Sequence, residues 1–276
     1  MRPSSTLSAV SEPWDVKLAR AHEHLSALRR AIDELTDSGS FAVITEGSGR
    51  ERAVRLVVGS APPARLSAIV GDFVHNLRSA LDCVMLAACE QGGPLTETQE
   101  RAVQFPITST PAEYDAQKGR IKFAPSDVRE AVCEMQPWFW AVRGSTPPAD
   151  DDQLRAAVRH DQLTTINHLS NVDKHRRIHL TTWYAEDIYT GSPDGITVGW
   201  RHATVAERST GLVGHWVVEG DHAESVVMRG HGRAALTLQR YVDLGWHNVE
   251  LSSILQGHLQ HVEWVVGTLA VRIGRR

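Results

Sequence analysis

Two stretches of the 276-residue chain gather the side chains that acid–base chemistry uses. The first, GDFVHNLRSALD, carries Asp72, His75, Asn76, Arg78 and Asp82; the second, NHLSNVDKHRR, carries Asn171, Asp173, His175 and Arg176. Cleaving a phosphodiester without metal needs a base for the attacking hydroxyl, an acid for the leaving oxygen, and a cation against the charge that builds on phosphorus. Imidazoles can do both proton transfers near neutral pH, and a guanidinium supplies the charge. His75 and His175 are therefore the candidate acid and base, and Arg78 and Arg176 the candidate charge stabilisers. Asp72, Asn76, Asp82, Asn171 and Asp173 are the candidate ligand-binding groups. RNA is the expected partner, and this chemistry calls for no cofactor and no metal.

Two other uses of the same residues compete with it. Asp72 and His75 stand at i and i+3, as carboxylate–His pairs do in metal-binding bundles, and Asp173, His175, His258 or Glu23 could complete a shell. No Glu-x-x-His repeat, HExxH or cysteine cluster supports that, so the metal reading ranks lower. The third reading is structural: an ion pair such as Asp72 or Asp82 with Arg176 pins two helices in register, in a non-catalytic interaction or scaffold module. His22, Glu23 and His24 are adjacent on a helix and point in different directions, so they read as a solvated flank.

The elements that must position these residues follow from hydrophobic periodicity. Leu66, Ile69, Val70, Phe73, Val74, Leu77, Leu81, Val84 and Ala88 recur at helical spacing. With neither Lys nor Glu between Leu66 and Cys89, this helix reads as buried nearly all round, with a polar stripe in its N-terminal half. Such a stripe needs polar partners, and the second stretch is the candidate to face it. Trp14 to Leu35 and Leu251 to Ile273 carry two more long apolar stripes, with His258 inside the latter and His261 at its edge. Asp152 to about Val172 reads as a fourth helix, and Ser126–Glu134 as a short one capped by Ser126. Leu95–Lys122 shows no period and reads as irregular around Phe105-Pro106-Ile107. Pro137-Trp138-Phe139-Trp140 reads as core filling under a loop.

Phe41–Thr45 and Ala53–Val58 have strand composition and suggest an N-terminal β-hairpin. Ile178–Tyr189, Ile196–Glu207, Leu212–Glu219 and Ala234–Val242 suggest further strands separated by turn signals. The expected class is therefore α+β: a bundle of about four long helices with an antiparallel β-sheet and an N-terminal β-hairpin. Residues 1–12 read as a loose tail and 13–276 as a single domain, with GSTPPADDD at 144–152 as the candidate internal break.

Composition sets limits on function. A formal charge of −4 argues against a chain coated with nucleic acid, although not against a local basic site. Three cysteines, none in a Cys-x-x-Cys pair, suit reduced thiols in a cytoplasmic protein, and the N-terminus has no signal-peptide pattern. No apolar run is long enough to cross a bilayer before a charge interrupts it, so no membrane is expected. The apolar helical faces would also allow a homodimer.

Gly71, Asp72, His75 to Asp82, then Phe105-Pro106-Ile107, then Asn171 and Asp173 to Arg176 make an ordered set. It resembles a family of uncharacterised bacterial, mainly actinobacterial, proteins with GDxxHNLRSALD and NxDKHR motifs. Members often carry His after the last Asp of the first motif, where this chain has Cys83. The resemblance covers most of the chain and implies no particular activity. A looser likeness is to helical ribonucleases of the HEPN type, which place an Arg and a His a little over one turn apart on a bundle helix. Arg155 and His160 have that spacing, but Ala156 stands where a polar residue is preferred, and with 14 histidines in the chain a chance match is expected.

Overall fold

Pro13, with φ already fixed near the helical value, begins the first long helix. In the computed structural model this helix, α1, runs Pro13–Asp37 and buries Trp14, Ala21, Leu25, Leu28, Ala31 and Leu35 along one face. The structure describes the backbone of residues 11–37, 41–46, 51–58, 62–144, 146–175, 178, 180–191, 197–199, 212–217, 227–238 and 250–275; side chains are described for 11–35, 37, 62–144, 146–173, 178, 180, 236–238 and 250–275.

The second long helix, α2 (Ala64–Glu90), changes character along its length. Arg65, Ala68, Asp72 and His75 follow one another at helical spacing and are exposed. From Ala80 to Cys89 nearly every position is buried or half-buried. The expected polar stripe aimed into the core is thus corrected. Asp72 and His75 lie on the solvent face, and only the C-terminal half is enclosed on most sides. Long aliphatic side chains at Leu77, Leu81, Val84 and Met85 favour that enclosure, whereas a charged first half keeps its water.

The stretch expected to be irregular folds as short capped helices. Thr96 and Gln99 form a reciprocal capping box that starts α3 (Glu97–Ala102). Thr110 caps α4 (Pro111–Gln117), which tightens into a 3-10 turn at Lys118–Ile121. Then come α5 (Ser126–Glu134), α6 (Pro137–Ala141), and α7 (Asp151–Val158) capped by Asp150. Pro125 rather than Ser126 occupies the cap position of α5. Asp161 accepts the amides of Leu163 and Thr164 at the start of α8 (Gln162–His175), and α9 (Leu251–Arg272) is the last long helix.

These helices overturn the α+β assignment with its antiparallel sheet and N-terminal hairpin. Over the residues with described side chains, 74% are helical and 2% extended, so the described body is mostly helical. The extended residues include the buried Leu236-Thr237-Leu238. Elsewhere the backbone is extended at Phe41–Glu46, Glu51–Val58, Thr197–Gly199, Leu212–Val217 and most of Leu180–Gly191 and Val227–Leu238, with antiparallel partners along the main chain. No side chains are described there, so no packed sheet face or core is assigned to these segments. The expectation erred because periodicity finds long amphipathic elements readily, whereas short helices such as Glu97–Ala102 and Pro137–Ala141 are too short to show a period.

The chain divides into two compact units: Met1–Leu25, Val70–Arg176 and Gln256–Arg276 in one, Ser26–Ile69 and Arg177–Leu255 in the other. The first is a helical body. Its buried side chains include Phe73, Leu77, Leu81, Met85, Phe105, Val128, Leu163, Ile166, Leu259, Val262, Val265 and Leu269. Helices α1 and α9 run antiparallel in it: His22 Nε2 lies 2.6 Å from Glu263 Oε1, and Arg275 Nη1 lies 3.4 Å from Glu12 Oε2. Gln91 Nε2 donates to the Ile273 carbonyl at 2.7 Å and ties the end of α2 to the end of α9. In the second unit, Leu28, Leu66, Ile178, Leu236 and Leu251 are buried, and Arg65 pairs with Glu34 at 2.8 Å. Among the described residues no helix is long and apolar enough to cross a membrane.

Candidate functional site

Arg78 and Asp82 stand one turn apart on α2 and together grip one residue of the Phe105-Pro106-Ile107 segment. Arg78 Nη2 donates to the Phe105 carbonyl at 2.6 Å and to Asp82 Oδ1 at 3.2 Å, while the Phe105 N–H donates to the same carboxylate oxygen at 2.9 Å. The Phe105 ring is fully buried, so its backbone groups could not have stayed in water; the ion pair satisfies both. Gln136 fixes the other end of the segment. It donates to the Pro106 carbonyl and accepts from the backbone and hydroxyl of Thr108, which in turn accepts from Trp138 Nε1. Of the aromatic run, Trp138 and Phe139 are buried as expected of core filling, whereas Trp140 is 71% exposed.

The segment so fixed is one wall of a cavity of about 250 Å³. Arg78 and Asp82 line it from α2, and Gln104 and Ile107 from the segment itself. Gln117 and Arg120 reach it from the end of α4 and the 3-10 turn. Asn167, Ser170 and Asn171 reach it from α8, where their i, i+3, i+4 spacing puts them on one face. Arg120 donates to the Gln104 side-chain carbonyl. Burial pulls the Arg78 guanidinium below the usual arginine range; Asp82 acts against that, and the like charge of Arg120 adds to it. Two cations thus sense one another across a cavity whose lining includes one carboxylate, itself already bonded to Phe105. Arg78 Nη1 is buried with no hydrogen-bond partner among the described residues. An uncompensated buried donor on a charged group is costly, and the pair of cations on one wall suits an oxyanion in the cavity.

The residues singled out in the sequence fall in different places. Arg78, Asp82 and Asn171 line the cavity. Asn76 is buried but donates its amide to the Asp72 carbonyl of its own helix at 2.8 Å. Asp72 and His75 are exposed, and His75 Nε2 lies 3.5 Å from Ser79 Oγ. Asp173 is exposed, and its carboxylate lies against Gly71, where an added Cβ would fall 2.3 Å from Oδ1. The two stretches therefore do meet: α2 and α8 run antiparallel, touching at Gly71 and Asp173 and enclosing the cavity further along. His175 ends α8, but its side chain and all of Arg176 lie outside the described residues. Arg155, one half of the HEPN-like spacing, is taken up by Glu113 and Asp152, both at 3.1 Å. Gln104, Gln117, Arg120, Asn167 and Ser170 were missed. The polar i, i+3, i+4 face of α8 was readable in the sequence; the 3-10 turn that brings in Arg120 was not.

A second polar cluster lies at the other end of α8. Burial pushes the His258 imidazole down to about 4, with the neighbouring His261 adding to the effect. Burial likewise lowers His261, against the pull of Asp161. The Asp161 carboxyl is raised by burial, against the amides of Thr164 and Leu163 and the charge of His261. Burial also raises all three thiols, Cys89 to about 11, so none is a ready thiolate. Among the described residues no group of three or more His, Cys, Asp or Glu could hold a metal ion. Comparison with protein-family models, with curated proteins and with solved structures returned no match.

Proposed function

We propose that the helical unit is a binding module for a small oxyanion, a phosphate or phosphoester, held in the cavity between Arg78 and Arg120. The observation that carries this is the pair of guanidiniums, Arg78 and Arg120, that line one cavity and sense one another's charge. Arg78 is held in place by Phe105 and Asp82, so its charge is preorganised, and Arg120 supplies a second, more exposed cation. Titrating inorganic phosphate into the full chain, followed by calorimetry and thermal shift, tests the reading. Saturable binding that weakens in Arg120→Ala is expected; no binding, or equal binding by wild type and variant, overturns it.

The close approach of Gly71 and Asp173 supports a second reading, metal-independent cleavage of a phosphodiester such as RNA. His75 lies one turn beyond Gly71 and His175 two residues beyond Asp173; because the helices are antiparallel, the two lie on opposite sides of that contact, and this reading ranks below the first. In this reading His75 and His175 exchange the protons, while Arg78 and Arg176 stabilise the phosphorane charge. Purified protein incubated with mixed RNA and DNA should cleave, and His75→Ala and His175→Ala should each abolish it; equal cleavage by all three ends that assignment. A cytoplasmic location suits either reading, since Cys83, Cys89 and Cys133 are free thiols. A homodimer through helical faces is compatible with Trp264 and Val271, exposed seven residues apart on α9, and sedimentation at two concentrations decides it.

A further inference from the structure

We infer that the ligand of this cavity is a small phosphorylated polyol or sugar rather than a nucleotide. The inference rests on the oxyanion reading and adds the identity of what is attached to the anion. Beyond the two guanidiniums and Asp82, the lining consists of four side-chain amides, Gln104, Gln117, Asn167 and Asn171, with the hydroxyl of Ser170 and one apolar residue, Ile107. An amide offers both a donor and an acceptor, as does a hydroxyl, so a wall of amides suits a ligand covered in hydroxyl groups. Among the described residues no aromatic ring lines the cavity. A nucleobase gains much of its binding from stacking on rings or from apolar walls, and neither is offered here. The volume, about 250 Å³, also lies below the range of roughly 300–1,000 Å³ usual for sites that enclose larger organic ligands.

The arrangement assigns separate roles. Arg78 and Arg120 take the phosphate, and the α8 face of Asn167, Ser170 and Asn171 takes the hydroxyls. Asn171 is exposed and takes no part in the Phe105 grip, so it can be replaced without disturbing that grip. The test uses the full chain with five probes: inorganic phosphate, glycerol 3-phosphate, ribose 5-phosphate, ribose and AMP. Ribose 5-phosphate or glycerol 3-phosphate should bind at least tenfold more tightly than inorganic phosphate, and ribose should bind weakly. Arg120→Ala should weaken every phosphate-bearing probe by roughly tenfold or more, the scale of one charge-assisted hydrogen bond. Asn171→Ala should weaken the phosphorylated polyols severalfold and leave inorganic phosphate unchanged. If AMP binds most tightly, if inorganic phosphate binds as well as its esters, or if Asn171→Ala affects both alike, the polyol inference fails while the oxyanion reading stands. If no phosphate-bearing probe binds, both fail.

Discussion

Helix α8 carries a polar cluster at each end, and the two are built on opposite principles. At its N-terminus the buried His258 and the half-buried Asp161 and His261 sense one another, and burial drives each toward its neutral form. Toward its C-terminus Asn167, Ser170 and Asn171 face guanidiniums that keep their charge, around a space that is not filled. In the closed cluster burial suppresses ionisation. The open one keeps two guanidiniums beside a space that a ligand can enter. A buried imidazole is therefore the weaker pointer to function here, because a group held neutral and enclosed has little left to offer a ligand.

The largest expected effect tests the closed end. An unfolded imidazole takes up its proton near pH 6.5, whereas folded His258 does so only at about 4. Between those values the unfolded chain binds more protons, so each step down in pH favours unfolding. The contribution is complete above about pH 6.5 and is lost as pH falls toward 4, amounting to about 3 kcal/mol across that window. Asp161 acts the other way at the acid end, since its raised carboxyl retains a proton in the folded state that the unfolded chain would release. Urea denaturation from pH 7.5 to 4.5 should show the loss, and His258→Gln should flatten it. An unchanged pH profile in the variant would mean the imidazole reaches water, and the contrast between the two ends would be gone.

The next effect separates fold from binding at the open end. Arg78→Ala removes the donor to the Phe105 carbonyl and leaves Asp82 with the Phe105 amide alone among its described bonds with that segment. With the Arg78 side chain only 14% exposed, the loss should be about 2 kcal/mol, the scale of a hydrogen bond to a charged group. Phosphate binding should vanish with it. Arg120→Ala should lose binding with its stability intact. Denaturation and phosphate titration on both variants would expose a mistake: if Arg78→Ala keeps full stability, the grip on Phe105 is not what positions the wall.

Much of this was readable in the letters. Arg78, Asp82 and Phe105, all singled out in the sequence, form one hydrogen-bonded unit, and the two polar stretches do lie on abutting helices. What the letters concealed was direction. Asp72 and His75 share the α2 periodicity with Leu77 and Leu81, and only the placement of neighbouring helices shows that the first pair meets solvent and the second the core. Arg120 sits in a single 3-10 turn with no period of its own, and Gln136 is one residue with three hydrogen bonds that arise from tertiary structure.

Smaller effects probe α8 itself. Asp161→Ala removes the acceptor for the Leu163 and Thr164 amides and should lose about 1 kcal/mol, the usual scale of an N-cap. Asp161→Asn keeps a capping oxygen without a charge that burial disfavours, so it should match or exceed wild-type stability at pH 7 in the same denaturation assay. A loss from Asn as large as that from Ala would show that the charge on Asp161, acting on His261, holds the closed end together.

The smallest expected effect lies where α2 and α8 touch. Gly71→Ala would place a Cβ 2.3 Å from Asp173 Oδ1 and 2.7 Å from its Cγ. That overlap would be severe against backbone, but these atoms belong to an exposed side chain with room to turn. Replacing glycine by alanine inside a helix gains up to about 1 kcal/mol, which opposes the displacement. The single variant should therefore fall within about 0.5 kcal/mol of wild type, and Gly71→Ala with Asp173→Ala should be more stable than wild type by about that amount. A penalty above about 2 kcal/mol that Asp173→Ala relieves would show the carboxylate pinned in place by groups beyond it. The open end of α8 would then be as rigid as the closed one, and Asp173 would be a structural part of the cavity's frame rather than a side chain resting at its edge.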